Sequence, residues 1–151
     1  MKQLVLFFVF LSSVSAGLAQ DQKRIQLFNL EKGLAAEGYD VVAYFSGKAQ
    51  KGNASLAVVY QGVRYHFSTE ANKEAFKKNP AKYEPQYGGW CAYAMGKNGD
   101  KVNVDPETFK IINGKLYLFY NRFFNNTLTS WNKNETNLKT KADANWQKTF
   151  H

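Results

Sequence analysis

Two stretches of alternating apolar and polar residues are each broken by a short turn that contains glycine. The stretches are residues 55–60 and 63–67 around Gln61-Gly62, and residues 108–112 and 115–119 around Asn113-Gly114. A two-residue turn with glycine at its second position favours a tight β-hairpin. The sequence therefore predicts two antiparallel hairpins.

The turns also predict which residues face each other across each hairpin. In the first hairpin the predicted pairs are Tyr60 with Val63, Val58 with Tyr65, and Leu56 with Phe67. These six side chains would share one apolar face, and His66 would lie on the opposite face. In the second hairpin the apolar face is predicted to consist of Phe109, Ile111, Leu116 and Leu118.

Helical segments are predicted after each hairpin. Ser68 or Thr69 can cap a helix that ends near Asn79, and the chain from Asn121 onward is helical in character. A stripe at four-residue spacing in this tail consists of Leu138, Ala142, Trp146 and Phe150. The predicted class is α+β, with a small antiparallel sheet built from two β-hairpins and packed helices, including a C-terminal helical segment.

The amino end has the pattern of a secretory signal peptide. Lys2 precedes an apolar run over residues 4–11, and small residues precede a predicted cut after Ala19, with Ala16 as the alternative. The predicted organisation is a signal peptide at 1–19, an ordered lead-in at 20–37, and one domain at 38–151. The chain is therefore expected to be exported, periplasmic or secreted, with no stable membrane span.

Composition narrows the class of partner. The formal net charge is +8, but the lysines are spread along the chain without an arginine-rich stripe or an RNA-binding aromatic motif. Nucleic acid is therefore not an expected partner.

Cys91 is the only cysteine, so it cannot form a disulfide within the chain. In an oxidising compartment such a thiol is expected to be buried, ligated or reactive.

The stretch around Cys91, residues 86–95, concentrates the candidate chemistry. If Trp90 to Met95 is helical, Met95 lies one turn from Cys91 on the same face, and the two sulfur atoms with His66 form a donor set that suits Cu(I). The candidate ligand-binding residues are Asp40, Tyr65, Tyr87 and Trp90. Two alternatives stay open: Cys91 as buried filler, and Asp40 as a residue that caps a turn or accepts backbone N–H bonds.

Several of these motifs resemble the YHS domain, a small module named for a Tyr-His-Ser signature. They are Tyr65-His66-Phe67-Ser68, Asn79-Pro80-Ala81-Lys82-Tyr83, and the flanking Gly38-Tyr39-Asp40, Gln86-Tyr87-Gly88-Gly89 and Asn113-Gly114-Lys115. The combination is similar to exported YHS-domain proteins of bacteria. Related modules in metal pumps and some oxygenases are associated with metal binding. They typically carry cysteines at the positions of Ser68 and Asn72, so this chain departs from the metal-associated pattern.

Two function classes follow from these observations. The first is an exported YHS-type binding module that takes a soft metal ion, such as copper, or a small ligand near Cys91. The second is a protein-protein interaction domain in which Cys91 is buried and no metal binds. The sequence leaves enzymatic activity open but favours a binding module, because His66 is the only internal base available to a catalytic cysteine.

Overall fold

The computed structural model describes residues 17–150, so most of the predicted signal peptide and the terminal His151 lie outside the described residues. The helices are α1 (17–27), α2 (Glu70–Lys78), α3 (Pro80–Tyr83), α4 (Ala92–Lys97), α5 (Thr127–Asn132) and α6 (Glu135–Phe150). The strands are β1 (Leu30–Glu31), β2 (Leu34–Ala35), β3 (Asn53–Tyr60), β4 (Val63–Phe67), β5 (Asp105–Ile112), β6 (Lys115–Phe119), β7 (Asn121–Arg122) and β8 (Asn125–Asn126). Short 3-10 turns cover Ala36–Gly38, Ala43–Ser46 and Gln86–Gly89. The predicted α+β class is confirmed.

The first predicted hairpin is β3–β4, and its register agrees with the prediction near the turn. Tyr60 pairs with Val63 and Val58 with Tyr65. The predicted pairing of Leu56 with Phe67 is wrong, because an irregularity in β3 shifts the register and Phe67 pairs with Asn53. Such a bulge leaves residues of one strand unpaired, and the turn signal that fixes the nearest pairs carries no information about it.

The two predicted hairpins lie in different sheets. β3 and β4 form one sheet with the two short amino-terminal strands, in the order β1-β2-β4-β3, whereas β5 and β6 form a sheet of their own. In the second hairpin Phe109 pairs with Leu118 and Ile111 with Leu116, as predicted. Pro85, which follows α3, forms an isolated parallel β-bridge with Leu116 of β6.

The prediction of helix from Asn121 onward is wrong for its first six residues. β7 and β8 form a third hairpin there, with Asn121 paired to Asn126, and α5 begins only after it. The turn of this hairpin is Phe123-Phe124, a pair without the glycine or asparagine that usually signals such a turn. The sequence pattern therefore gave no local indication of it.

The C-terminal helix packs as its stripe predicts. Leu138, Ala142 and Trp146 join an apolar cluster with Met95 and Trp131. Helices α4 and α6 approach so closely that a Cβ on Gly96 would lie 2.4 Å from the carbonyl oxygen of Leu138. Glycine is required at this crossing because no side chain fits between the two backbones.

The helix that precedes β1 packs on the domain through its carboxyl end. Arg24 of α1 is buried and forms an ion pair with Glu84, and the carbonyl of Leu27 accepts a hydrogen bond from the Trp90 indole at 2.7 Å. Among residues 17–150, no helix is both long enough and apolar enough to cross a membrane.

Candidate functional site

Asp40 is a fully buried carboxylate that accepts five hydrogen bonds. Its Oδ1 accepts from the backbone N–H groups of Val42 and Ala43, at 2.9 and 3.2 Å. Its Oδ2 accepts from the Ser68 N–H at 2.8 Å, the Ser68 hydroxyl at 2.6 Å and the Asn72 side-chain amide at 2.7 Å. Both oxygens are therefore fully used in holding the Ala43–Ser46 turn against the junction of β4 and α2. The alternative in which Asp40 accepts backbone N–H bonds is confirmed.

Ser68 and Asn72 are the two positions at which the resemblance to metal-associated YHS modules implies cysteines. The Ser68 hydroxyl and the Asn72 amide both point donors at Asp40. A hydroxyl and an amide used as donors do not fit a soft metal ion, which prefers thiolate ligands. Within residues 17–150, no three His, Cys, Asp or Glu residues are grouped so that they could hold a metal ion.

The Cys91 sulfur is buried, with both its hydrogen-bonding functions engaged. The Tyr120 N–H donates to Sγ at 3.3 Å, and the hydroxyl of Thr127 lies 3.4 Å from it. That hydroxyl already donates to the carbonyl of Tyr120 at 2.8 Å, so the S–H group must be the donor in the contact with Thr127. Sγ therefore takes part in one hydrogen bond as acceptor, from Tyr120, and in one as donor, to Thr127.

A cavity of about 290 Å³ adjoins Cys91. Tyr93 and Tyr120 contribute aromatic surface to its lining, and Lys97, Asn125 and their neighbours contribute polar groups. The ammonium group of Lys97 lies 6.0 Å from the centroid of the Tyr93 ring. Cys91 borders this cavity but has no water-accessible surface, so a ligand would reach the sulfur only after a small movement of the lining.

The three predicted metal ligands lie in different surroundings. Cys91 belongs to the apolar cluster beneath the four-stranded sheet, whereas Met95 is buried in the cluster against α6. His66 is half-buried on β4, where it pairs with Ala57, and burial together with the nearby Arg64 lowers the pKa of its imidazole. The prediction that Trp90 to Met95 is helical is wrong for Trp90 and Cys91, since α4 begins at Ala92 and Cys91 has ψ of 116°, although the Cys91 carbonyl accepts a hydrogen bond from the Met95 N–H at 3.0 Å. Copper ligation by this set stays a prediction.

Tyr65 lies inside the fold, where its hydroxyl donates to Oε1 of Glu84. The same oxygen accepts a hydrogen bond from the guanidinium of Arg24, which forms an ion pair with Glu84. Burial, reinforced by the Glu84 carboxylate, raises the pKa of Tyr65 well above its usual value. Tyr65 thus has a structural partner that connects β4 to the end of α3 and to α1.

Tyr87 and Trp90 are also held by partners from distant parts of the chain. The Tyr87 hydroxyl donates to Oδ1 of Asp143 at 2.8 Å, and the Trp90 indole donates to the carbonyl of Leu27 at 2.7 Å. Burial, followed by the hydrogen bond to Asp143, raises the pKa of Tyr87. Both side chains therefore dock α6 or α1 onto the turn at Gln86–Gly89.

A second cavity of about 400 Å³ lies between α1, that turn and α6. Its lining combines aromatic rings with charged groups, among them Arg24, Phe28, Glu84, Tyr87, Asp143 and Trp146. Tyr87 was a predicted site residue and Trp146 belongs to the predicted stripe. Arg24, Glu84 and Asp143 had no sequence signal, because only the docking of the two terminal helices brings them together. The four-residue stripe located α6 but gave no indication of its partner.

The glycine pair before Trp90 has a left-handed backbone. Gly88 and Gly89 both have positive φ, at 59° and 85°. A Cβ on Gly88 would lie 2.8 Å from the Phe28 ring and 2.9 Å from the Trp146 ring. Close approach of two aromatic side chains and a left-handed backbone both require glycine there.

Comparison with known proteins agrees with the resemblance drawn from the motifs. The family model for the YHS domain matches residues 42–87, which contain Tyr65, His66 and Tyr87 but not Asp40, Trp90, Cys91 or Met95. No curated protein and no solved structure gives a significant match. The segment from the Ala43–Ser46 turn to Tyr87, including β3, β4, α2 and α3, is a YHS domain.

Proposed function

We propose that this chain is an exported binding module of the YHS type, and that its ligand site is the cavity bordered by Cys91. The observation that carries the proposal is this cavity of about 290 Å³, lined by two tyrosines beside the one thiol of the chain. Export rests on the signal-peptide pattern at residues 1–19 and on the resemblance to exported bacterial proteins.

A small organic ligand is the occupant that the cavity supports best. Its volume is close to the lower end of the range typical of small-molecule sites, about 300–1,000 Å³. The aromatic side chains of Tyr93 and Tyr120 suit a flat apolar group. The ammonium group of Lys97 suits an anionic substituent held away from Asp100, which also lines the cavity. A small aromatic acid combines these two features.

Copper(I) is the second occupant that we propose, because a thiolate is the ligand type it prefers. Binding would require Cys91 to lose its proton, and so to give up the hydrogen bond that its S–H group donates to Thr127. Such a site would depend on a single soft donor from the described residues near the cavity. For this reason we rank copper behind the organic ligand.

The alternative class is a protein-interaction domain with a structural cysteine. The observation that favours it is the burial of Cys91 together with its completed hydrogen bonds. In that case Cys91 is a buried packing residue next to Tyr120 and binds no ligand.

Binding measurements on matched variants separate these possibilities. Benzoate serves as the aromatic-acid probe and is followed by ligand-observed NMR, while Cu(I) is titrated in competition with a chromogenic chelator. Saturable benzoate binding that is lost in Lys97→Ala but kept in Lys101→Ala supports the organic ligand, since Lys101 does not line the cavity. Cu(I) binding that disappears in Cys91→Ser supports copper.

Failure of both probes contradicts the binding proposal. A thiol that reacts with a disulfide reagent only when the protein unfolds would then support the structural alternative. Export is tested separately by sequencing the amino terminus of the protein recovered from the periplasm or medium. Retention of Met1 in a protein confined to the cytoplasm would overturn that part of the proposal.

A further inference from the structure

The third hairpin carries two phenylalanines at its tip. Strands β7 and β8 pair through Arg122 and Asn125, and the turn between them is Phe123-Phe124. The relative exposure of these side chains is 88% and 112%, the highest among the large hydrophobic residues of the described chain. Single exposed apolar residues are ordinary, but two adjacent aromatic rings held in water at one tip mark an interaction site.

The backbone at this tip is strained. Phe123 and Phe124 have φ of 53° and 61°, in the left-handed region that bulky residues rarely adopt. The other two hairpins make the same turn with Gln61-Gly62 and Asn113-Gly114, where glycine occupies the second position without a steric penalty. Strain of this kind persists where the surrounding structure imposes it and is concentrated at functional sites.

The base of the hairpin is held firmly. The N–H of Thr127 donates to the carbonyl of Tyr120 at 2.9 Å, and the guanidinium of Arg122 donates to the carbonyl of Val104 at 3.2 Å. The Asn126 side chain accepts from the N–H of Leu128 at 3.0 Å and so caps α5. These three hydrogen bonds tie the base of the hairpin to its neighbours, which reduces the ordering cost of binding.

We propose that Phe123 and Phe124 insert into the interfacial region of an anionic lipid bilayer. The tip is narrow and convex, and two side chains provide much less area than the roughly 800 Å² per partner that a stable protein interface buries. A bilayer accepts such a wedge without a complementary groove.

The charge of the protein favours an anionic surface. Residues 121–126 contain no carboxylate; the side chain of Arg122, next to the two phenylalanines, is 50% exposed and lies 3.7 Å from the Glu37 carboxylate. The whole chain carries a formal charge of +8. Basic side chains near a membrane are attracted to anionic headgroups, and this attraction falls as salt rises. Insertion of Phe123 and Phe124 and the attraction of the positive charge to anionic headgroups therefore both favour binding to the bilayer.

Vesicle co-sedimentation tests the proposal. The full chain is mixed with vesicles of equal parts phosphatidylcholine and phosphatidylglycerol, and compared with a Phe123→Asn, Phe124→Gly double variant that suits the turn. We expect the partition coefficient of the double variant to be lower by about tenfold or more. Withdrawing part of one phenylalanine side chain from an apolar environment already lowers this coefficient by about that factor. The matched control is Val59→Thr, which alters an exposed apolar residue on β3 and should leave partitioning unchanged.

The parent protein and its variants have the same amino end, so a difference in their partitioning onto vesicles is due to the tip alone. A Phe124→Trp variant measures insertion directly. The fluorescence of the new tryptophan, obtained by subtracting the signal of the parent protein, should be quenched by brominated acyl chains. Unchanged partitioning of the double variant, or equal partitioning onto vesicles of phosphatidylcholine alone, would overturn the proposal. Self-association that depends on the tip, without vesicle binding, would replace the bilayer with a protein partner.

Discussion

Removal of the Asp40 carboxylate should destabilise the fold severely. The side chain is inaccessible to water, and its two oxygens accept all five donors directed at them. In Asp40→Ala the backbone N–H groups of Val42 and Ser68 lose their acceptor, as do the Ser68 hydroxyl and the Asn72 amide. Hydrogen bonds to a charged group contribute about 1.5–3 kcal/mol each, and an orphaned buried donor costs about 1–3 kcal/mol.

These contributions do not add fully, because water can reach the half-buried donors. Breaking a buried charged network typically costs about 3–5 kcal/mol, and we expect a loss of about 4 kcal/mol here. With a urea slope of about 2 kcal/mol/M, the unfolding midpoint should fall by about 2 M. Asp40→Asn keeps the shape and one acceptor oxygen, so its loss should be about half as large.

Urea unfolding followed by tryptophan fluorescence measures the effect, because Trp131 is fully buried. Glu74→Ala is the matched control: this carboxylate pairs with Lys77 on the exposed face of α2, and its removal should not shift the midpoint measurably. If Asp40→Ala unfolds within about 0.5 M urea of the parent protein, the five hydrogen bonds do not hold the turn to the β4–α2 junction, and the reasoning fails.

Three further outcomes are expected. The Phe123→Asn, Phe124→Gly variant should be more stable by about 1–3 kcal/mol in urea unfolding, because left-handed backbone costs a bulky residue about 1–2 kcal/mol; a less stable variant would show that the turn is unstrained. Gly96→Ala is usually a favourable substitution in a helix, but here it should lower the free energy of unfolding by about 1–3 kcal/mol, because the new Cβ meets the Leu138 carbonyl. An unchanged melting temperature would contradict the close crossing of α4 and α6. Tyr65 has a raised pKa in the fold, so the stability it contributes is complete below about pH 10, its unfolded value, and is lost as pH rises toward the folded value. Tyr65→Phe should therefore flatten the alkaline decline in unfolding free energy, and an equally steep decline would refute this assignment.

Local sequence determined the elements whose signals are local. The Gln61-Gly62 and Asn113-Gly114 turns fix the nearest strand pairs, since a two-residue turn leaves few registers. The cap at Thr69 and the stripe in α6 likewise predicted their helices, because capping and helical periodicity act within a few residues. Two of the YHS motifs, Tyr65-His66-Phe67-Ser68 and Asn79-Pro80-Ala81-Lys82-Tyr83, lie within residues 42–87, where the family model matches. The wider domain at 38–151 stays a prediction.

Tertiary structure decided what depends on distant partners. Asp40 meets Ser68 and Asn72 across about thirty residues, and Arg24 meets Glu84 across 60, so neither pairing has a local signature. The turn at Phe123-Phe124 contradicts local preference, because the surrounding contacts hold it in a conformation its own residues disfavour. Likewise, the composition marked Cys91 as the single thiol, but only the packing of Tyr120 and Thr127 against it determined that the sulfur is buried beside a cavity.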